Sequence, residues 1–146
     1  MRTPVHSSIT FRRLGPDDAG LIATVSSELF DQRPVEDLVG EFLADPRHHL
    51  IAALDGVTMV GFVSGVHYIH PDKPAEMFIN EIGVVQSHRR RGIGKRLLGE
   101  VLRLAGELGC TNGWVLAEGW DVDAIRFYES FDGRAQNVVM FELPVD

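Results

Sequence analysis

Residues 86–98, QSHRRRGIGKRLL, set Arg89, Arg90, Arg91, Lys95 and Arg96 around Gly92 and Gly94 and then run into a leucine-rich stretch. Cations and glycines where a strand turns into a helix suit the binding of an anion. The first helical N–H groups have no partner within the helix, and the dipole there favours negative charge. Glycine lets a ligand oxygen reach the backbone without a Cβ in the way. Arg and Lys add charge-assisted hydrogen bonds. The alternative is a solvated charge cluster at a helix entry. Against it, each cation at a helix N-terminus opposes the dipole by ~0.3–1 kcal/mol unless an anion lies between them. Two familiar phosphate loops do not fit. Gly94-Lys95 is followed by Arg96 rather than Ser or Thr, which excludes a Walker A loop, and Leu97 stands where G-x-G-x-x-G needs its third glycine.

Two further residues could move protons. Glu81 lies in FINEIGV, among apolar neighbours. A carboxylate there is costly unless paired, and desolvation raises its pKa toward the range useful to a general base. A structural glutamate paired with an arginine, or one placed at a bulge, is the other reading. Tyr128 shares its spacing with Ala124, Phe127 and Phe131, at i, i+3, i+4 and i+7. That pattern is a core stripe as readily as a site for a proton-donating hydroxyl. His48, His49, His67 and His70 invite a metal reading, but His67-x-x-His70 lacks a third ligand, and no metal is expected.

The elements that position these residues follow from periodicity and breakers. ITFRRL (9–14) alternates as a strand, and Gly15-Pro16-Asp17-Asp18 opens a helix whose apolar residues run to Phe30, before Pro34. VEDLVGEFLAD forms a second helix. HHLIAAL (48–54) and TMVGFVSGVHYI (58–69) flank Asp55-Gly56 as a hairpin. EMFINEIGVV (76–85) is an apolar strand, and a helix over about 92–108 presents Ile93, Leu97, Leu98, Val101, Leu102, Ala105 and Leu108, with Gly109 as its C-terminal cap. NGWVLAE (112–118) is a strand with Trp114 in the core, DVDAIRFYESF (121–131) a helix, and NVVMFEL (137–143) a last strand. The expected order is β-α-α-β-β-β-α-β-α-β, a mixed α/β layer fold with early antiparallel hairpins and a βαβ crossover over 76–118.

Composition bounds the function. The 146 residues suit one domain, 1–146, with a loose start over 1–8. Net charge is −7, and the five cations of 89–96 leave 9 against 21 acidic residues elsewhere. A basic spot in an acidic chain fits a small anionic ligand better than nucleic acid, which needs a broad basic face. No apolar run suits a membrane helix, and MRTPVHSSITFRRL lacks the apolar region of a secretory signal. With Cys110 as its one cysteine the chain fits a reducing cytoplasm.

Taken together, RRRGIG with Arg89, Gly92 and Gly94, the preceding INEIGV and the later DVDAIRFYES resemble the GCN5-related N-acetyltransferase (GNAT) superfamily over residues 9–143. LFD, HHLIAAL, VGFVSGVHYIHPDKP and INEIGV are similar to its aminoglycoside 3-N-acetyltransferase type I branch. The resemblance implies an α/β (α+β) acyl-CoA N-acyltransferase fold. Its central sheet would be mixed and mainly antiparallel, with about six to seven strands and helices on both faces. It implies direct acetyl transfer from acetyl-CoA to a primary amine, the best single acceptor being an aminoglycoside-like or polyamine small molecule. A peptide or protein amine, or a CoA-binding sensor without catalysis, are the alternatives. Glu81 would be the base and Tyr128 the acid. Ile82, Gly83 and Val84 would pair with the pantetheine arm. Arg89, Arg90, Arg91, Gly92, Ile93, Gly94 and Lys95 would hold the pyrophosphate, with Asp121 and Ala124 beside the cofactor arm. Asp121 departs from the family's usual Asn, and Asp132-Gly133 from its Gly-Phe. His67, Asp72, Glu118, Trp120 and Asp123 are candidates for a cationic acceptor's pocket, with solvated surface as the other reading. A homodimer is compatible with the resemblance.

Overall fold

Asp55-Gly56 makes the expected tight turn, with Gly56 at φ 63°, and the sheet is built outward from it. The structure is a computed structural model that describes residues 8–146, so the loose start lies outside the described residues except for Ser8. β2 (His48–Asp55) and β3 (Thr58–Tyr68) pair antiparallel across the turn. β1 (Ile9–Arg13) joins β2 and β4 (Glu76–Val84) joins β3, both antiparallel, and β5 (Gly113–Val115) lies parallel to β4. The order is β1-β2-β3-β4-β5. The helices are α1 (Ala19–Ala23), α2 (Glu36–Ala44), α3 (Ile93–Glu107) and α4 (Val122–Glu129). The chain divides into two compact units, one running to Leu116 and the other covering Ala117–Asp146.

In the first unit β2 and β3 read as apolar runs because both faces are covered. Leu50, Ile51, Ala52, Ala53, Phe62 and Val63 are all buried. α3 covers one face with Leu97, Leu98, Val101 and Ala105. Its approach depends on Gly61, where an added Cβ would lie 3.1 Å from the Gly83 carbonyl and 3.4 Å from Leu97. Arg13 of β1 donates to Glu107 at the far end of the same helix at 2.7 Å. The opposite face is covered from the α1–α2 segment. Phe30 stacks on Phe62 at 4.5 Å, and Leu29 sits against Gly83.

Four expectations are corrected. The sheet has five strands, not six or seven. NVVMFEL forms no strand: residues 137–143 carry no regular structure, and Val138, Val139, Met140, Phe141 and Leu143 are exposed. α1 ends at Ala23, because Thr24 turns its hydroxyl back onto the Leu21 carbonyl at 3.0 Å. Leu29 and Phe30 still reach the sheet, but from turns rather than helix. Trp114 is not core; its side chain lies half-exposed on the sheet surface.

Candidate active site

Simple alternation along β4 would put residue 81 on the same face as 77 and 79. Met77 and Ile79 are buried beneath α3. The register shows why Glu81 is not: Ile79 pairs with Gly65 and Glu81 with Ser64, so Asn80 is an extra residue, a β-bulge. The bulge turns Glu81 to the other face, which it shares with Phe62, Ser64, Phe78 and Gly83. There its carboxyl is half-buried, and its pKa is raised, first by desolvation and then by the negative charge of Asp31. Asp31 comes from the turn segment before α2 and lines a cavity of about 620 Å³ with Phe30, Arg33 and Glu36. Parallel pairing between β4 and β5 stops at Ile79 and Val115. Among the described residues the β5-side edge of β4 therefore has no strand beside it from the bulge to Val84, the span holding Ile82, Gly83 and Val84.

The same strand runs into the basic loop. Gly92 takes φ 77° at the N-cap of α3 and offers no side chain to the helix. Arg90 also has positive φ, at 63°. Ile93 is buried and anchors the helix, so only its backbone faces the loop. Arg89 donates through Nε to the Val84 carbonyl at 3.1 Å, tying loop to strand. Arg96 lies over the Phe11 ring and pairs with Glu100 at 2.9 Å. Among the described residues no ion pair involves Arg90, Arg91 or Lys95. Unpartnered N–H groups, a left-handed glycine at which a Cβ would meet nothing within 4 Å, and three unpaired cations fit the phosphates of acetyl-CoA. His88 holds the loop to the hairpin turn through Asp55 at 2.8 Å, and Glu28 accepts from the Gln86 backbone at 3.0 Å.

In the second unit Asp121 caps α4, accepting from the Ala124 N–H at 3.1 Å. Tyr128 is half-buried on α4, its pKa raised by desolvation and then by Asp121. Glu118, Trp120 and Asp123 are exposed, as is Asp72 in the first unit's loop before β4. His67 pairs with Met77 on the α3 face and bonds His49 at 2.7 Å, so it is not brought to the face of Glu81. Thus Glu81, Ile82, Gly83, Val84 and 89–95 form one continuous strand-and-loop feature. Sequence reasoning missed Asp31 and the role of Asn80. Asp31 closes the LFD stretch of the narrower resemblance, but nothing in the sequence sets its carboxylate near Glu81, which lies 50 positions away in the chain. Among the described residues no group of three or more His, Cys, Asp or Glu gathers as a metal site, and no helix is long and apolar enough to cross a membrane.

The Acetyltransferase (GNAT) family matches residues 19–133. The N-alpha-acetyltransferase RimI of Mycobacterium tuberculosis is 35% identical over 100 residues, covering 66% of this chain and 62% of its own length, so less than two thirds of that relative is spanned. An aminoglycoside acetyltransferase, HMB0005, from an uncultured soil metagenomic sample superposes with a TM-score of 0.82 at 24% identity, covering 95% of this chain and 99% of its own. AAC(6')-Iy, solved with the bisubstrate analogue CoA-S-monomethyl-acetylneamine, gives 0.82 at 17% identity, covering 96% and 100%. At these identities the two structures speak for the fold.

Proposed function

The chain belongs to the GNAT acetyltransferase family, and from that premise we propose that it acetylates a primary amine directly from acetyl-CoA, with Glu81 as the base. The observation that carries this is the bulge at Asn80. It presents a half-buried carboxylate of raised pKa on an open face, beside a strand edge without a neighbour and at the head of an anion seat. The seat would take the phosphates on the α3 N–H groups, Gly92 and the cations of 90–95. The open edge of Ile82–Val84 would take the pantetheine amides as an added strand. Acetyl-CoA would supply the activated acetyl group as a thioester. Glu81 would take a proton from the acceptor ammonium, which its raised pKa suits near neutrality. Tyr128 would give its hydroxyl proton to the departing thiolate; its raised pKa keeps that proton in place until then. Direct transfer needs no cysteine, and burial raises the pKa of the Cys110 thiol, which keeps it protonated and unreactive.

The acceptor in this proposal is a cationic small-molecule amine of the aminoglycoside or polyamine type. Asp31 lies near enough to Glu81 for its charge to raise the Glu81 pKa, and two neighbouring carboxylates suit a cationic amine. A peptide N-terminus is the second reading, favoured by the likeness to the RimI protein. Thiol release from acetyl-CoA, measured with aminoglycosides, polyamines and peptide N-termini, separates the two. Glu81→Gln is expected to lower turnover on the order of 10²-fold or more with little change in acetyl-CoA affinity. Tyr128→Phe should lower turnover as well. Unchanged turnover in either variant removes that residue from the mechanism, and no release with any amine leaves a CoA-binding protein without catalysis.

A further inference from the structure

The face that carries Glu81 continues along β4 into a second cluster. Counting back through the bulge, Phe78 and Glu76 point the same way as Glu81, and their register partners Val66 and Tyr68 do so on β3. Trp114 pairs with Phe78 from β5 and lies against it, ring centroids 4.4 Å apart. The Trp114 indole N–H donates to the Tyr68 hydroxyl, which donates to Glu76 Oε2 at 2.9 Å. His70 Nε2 meets the same carboxylate oxygen at 3.1 Å. Both known partners of Glu76 thus crowd one oxygen. Oε1 has no hydrogen-bond or ion-pair partner among the described residues, and the side chain keeps 23% of its surface in solvent. Trp114 keeps 39% of its surface exposed, an aromatic of a kind that usually covers itself.

These residues form a fixed aromatic platform with a carboxylate at its edge. Such a surface takes a cation carried on an apolar stem: the stem lies on the rings, and the charge meets both the π face and the carboxylate. At about 3.3 Å per residue, Phe78 lies roughly 10 Å and Glu76 at most roughly 17 Å along the strand from Glu81. We propose that Trp114, Phe78 and Glu76 form a distal subsite for a second cationic group of the acceptor. The enzyme would then favour long, extended polyamines over short amines. The subsite rests on the acetyl-transfer reading for its place in the reaction, but binding to it does not need catalysis. Supporting the geometry, the hydrogen bonds from Tyr68 and His70 lower the Glu76 pKa, so the carboxylate is ionised at neutral pH.

Calorimetric titration without acetyl-CoA tests it, with spermine as the long probe and putrescine as the short one. The proteins are the wild type, Glu76→Gln, Trp114→Phe, and Glu41→Gln as a control that loses the same charge elsewhere. Glu76→Gln keeps an oxygen that can accept from Tyr68 and removes only the charge, and circular dichroism confirms that each variant is folded. Spermine is expected to bind the wild type more tightly than putrescine. Its affinity should fall on the order of tenfold in Glu76→Gln, fall in Trp114→Phe, and stay unchanged in Glu41→Gln. Equal affinity for the two probes, or equal losses in Glu76→Gln and Glu41→Gln, overturns the subsite in favour of general attraction to an acidic protein. The same panel in the thiol-release assay keeps the two ideas apart. Selective spermine binding without turnover sinks acetyl transfer and keeps the subsite, whereas turnover without the binding pattern does the reverse.

Discussion

As the proposed base, Glu81 would carry two opposed demands. Its folded-state pKa is raised, so the ionised form that a base must take is the form the fold penalises. A carboxylate whose folded pKa lies above its unfolded value adds stability only while protonated, and that contribution is lost as pH rises through the folded pKa. At neutral pH Glu81→Gln should therefore melt at or above the wild-type temperature while losing turnover. Asp31 supplies part of the shift, and Asp31→Asn removes it. The acid limb of kcat/KM, read from a pH–rate profile, should move to lower pH in Asp31→Asn; an unmoved limb would mean that the limb does not report Glu81. That a carboxylate in FINEIGV is costly and therefore suspect is legible from its apolar neighbours. Which face it takes is not, because alternation assigns residue 81 to the α3 side and only the pairing of Ile79 and Glu81 with Gly65 and Ser64 reveals the bulge.

At the level of elements, the strands and the long helix follow from sequence because hydrophobic period and turn chemistry agree over 48–108. The strand-to-helix junction that carries the glycines and cations of 89–95 is equally legible, and its proposed use as an anion seat rests on that junction. Its geometry gives a prediction. Gly92 sits at φ 77°, where an added Cβ costs about 1–2 kcal/mol through the backbone alone, since no atom lies within 4 Å to clash. Gly92→Ala should lower the melting temperature by a few degrees and raise KM for acetyl-CoA. A second prediction concerns the other face of the sheet. His49 of β2 meets His67 of β3, and its pKa falls from the ordinary 6.5 to about 4, first through desolvation and then through the charges of His67, His48 and Arg13, with Asp45 acting oppositely. A depressed histidine pKa means the unfolded chain binds more protons between those values. Stability should thus decline as pH falls from about 6.5 to about 4, by on the order of 1–2 kcal/mol once half-exposure is allowed for. Denaturant midpoints across that window should fall for the wild type and fall less for His49→Leu.

For the whole molecule, the C-terminal run is where sequence and structure diverge, and the divergence has a physical content. NVVMFEL carries the β-branched and aromatic residues that read as a strand, and that reading fails because a strand needs a neighbour as well as a pattern. Val139, Phe141 and Leu143 are 77%, 78% and 79% exposed, with Val138 and Met140 exposed beside them. An exposed apolar segment that pairs with no strand among the described residues is a candidate template for another copy of itself, and two antiparallel copies related by a two-fold axis would satisfy each other's hydrogen bonds. If the chain forms the homodimer that its resemblance allows, this segment is where the two copies would join. Light scattering on the full chain should give twice the 16.2 kDa protomer mass, and a chain ending at Arg134 should give a monomer. A charged substitution tests the same surface without shortening the chain. Phe141→Lys should raise the dissociation constant by at least tenfold, because the ammonium would be buried against its own counterpart across the axis. A monomeric full chain, or a truncated one that still dimerises, would show that this segment does not join the copies.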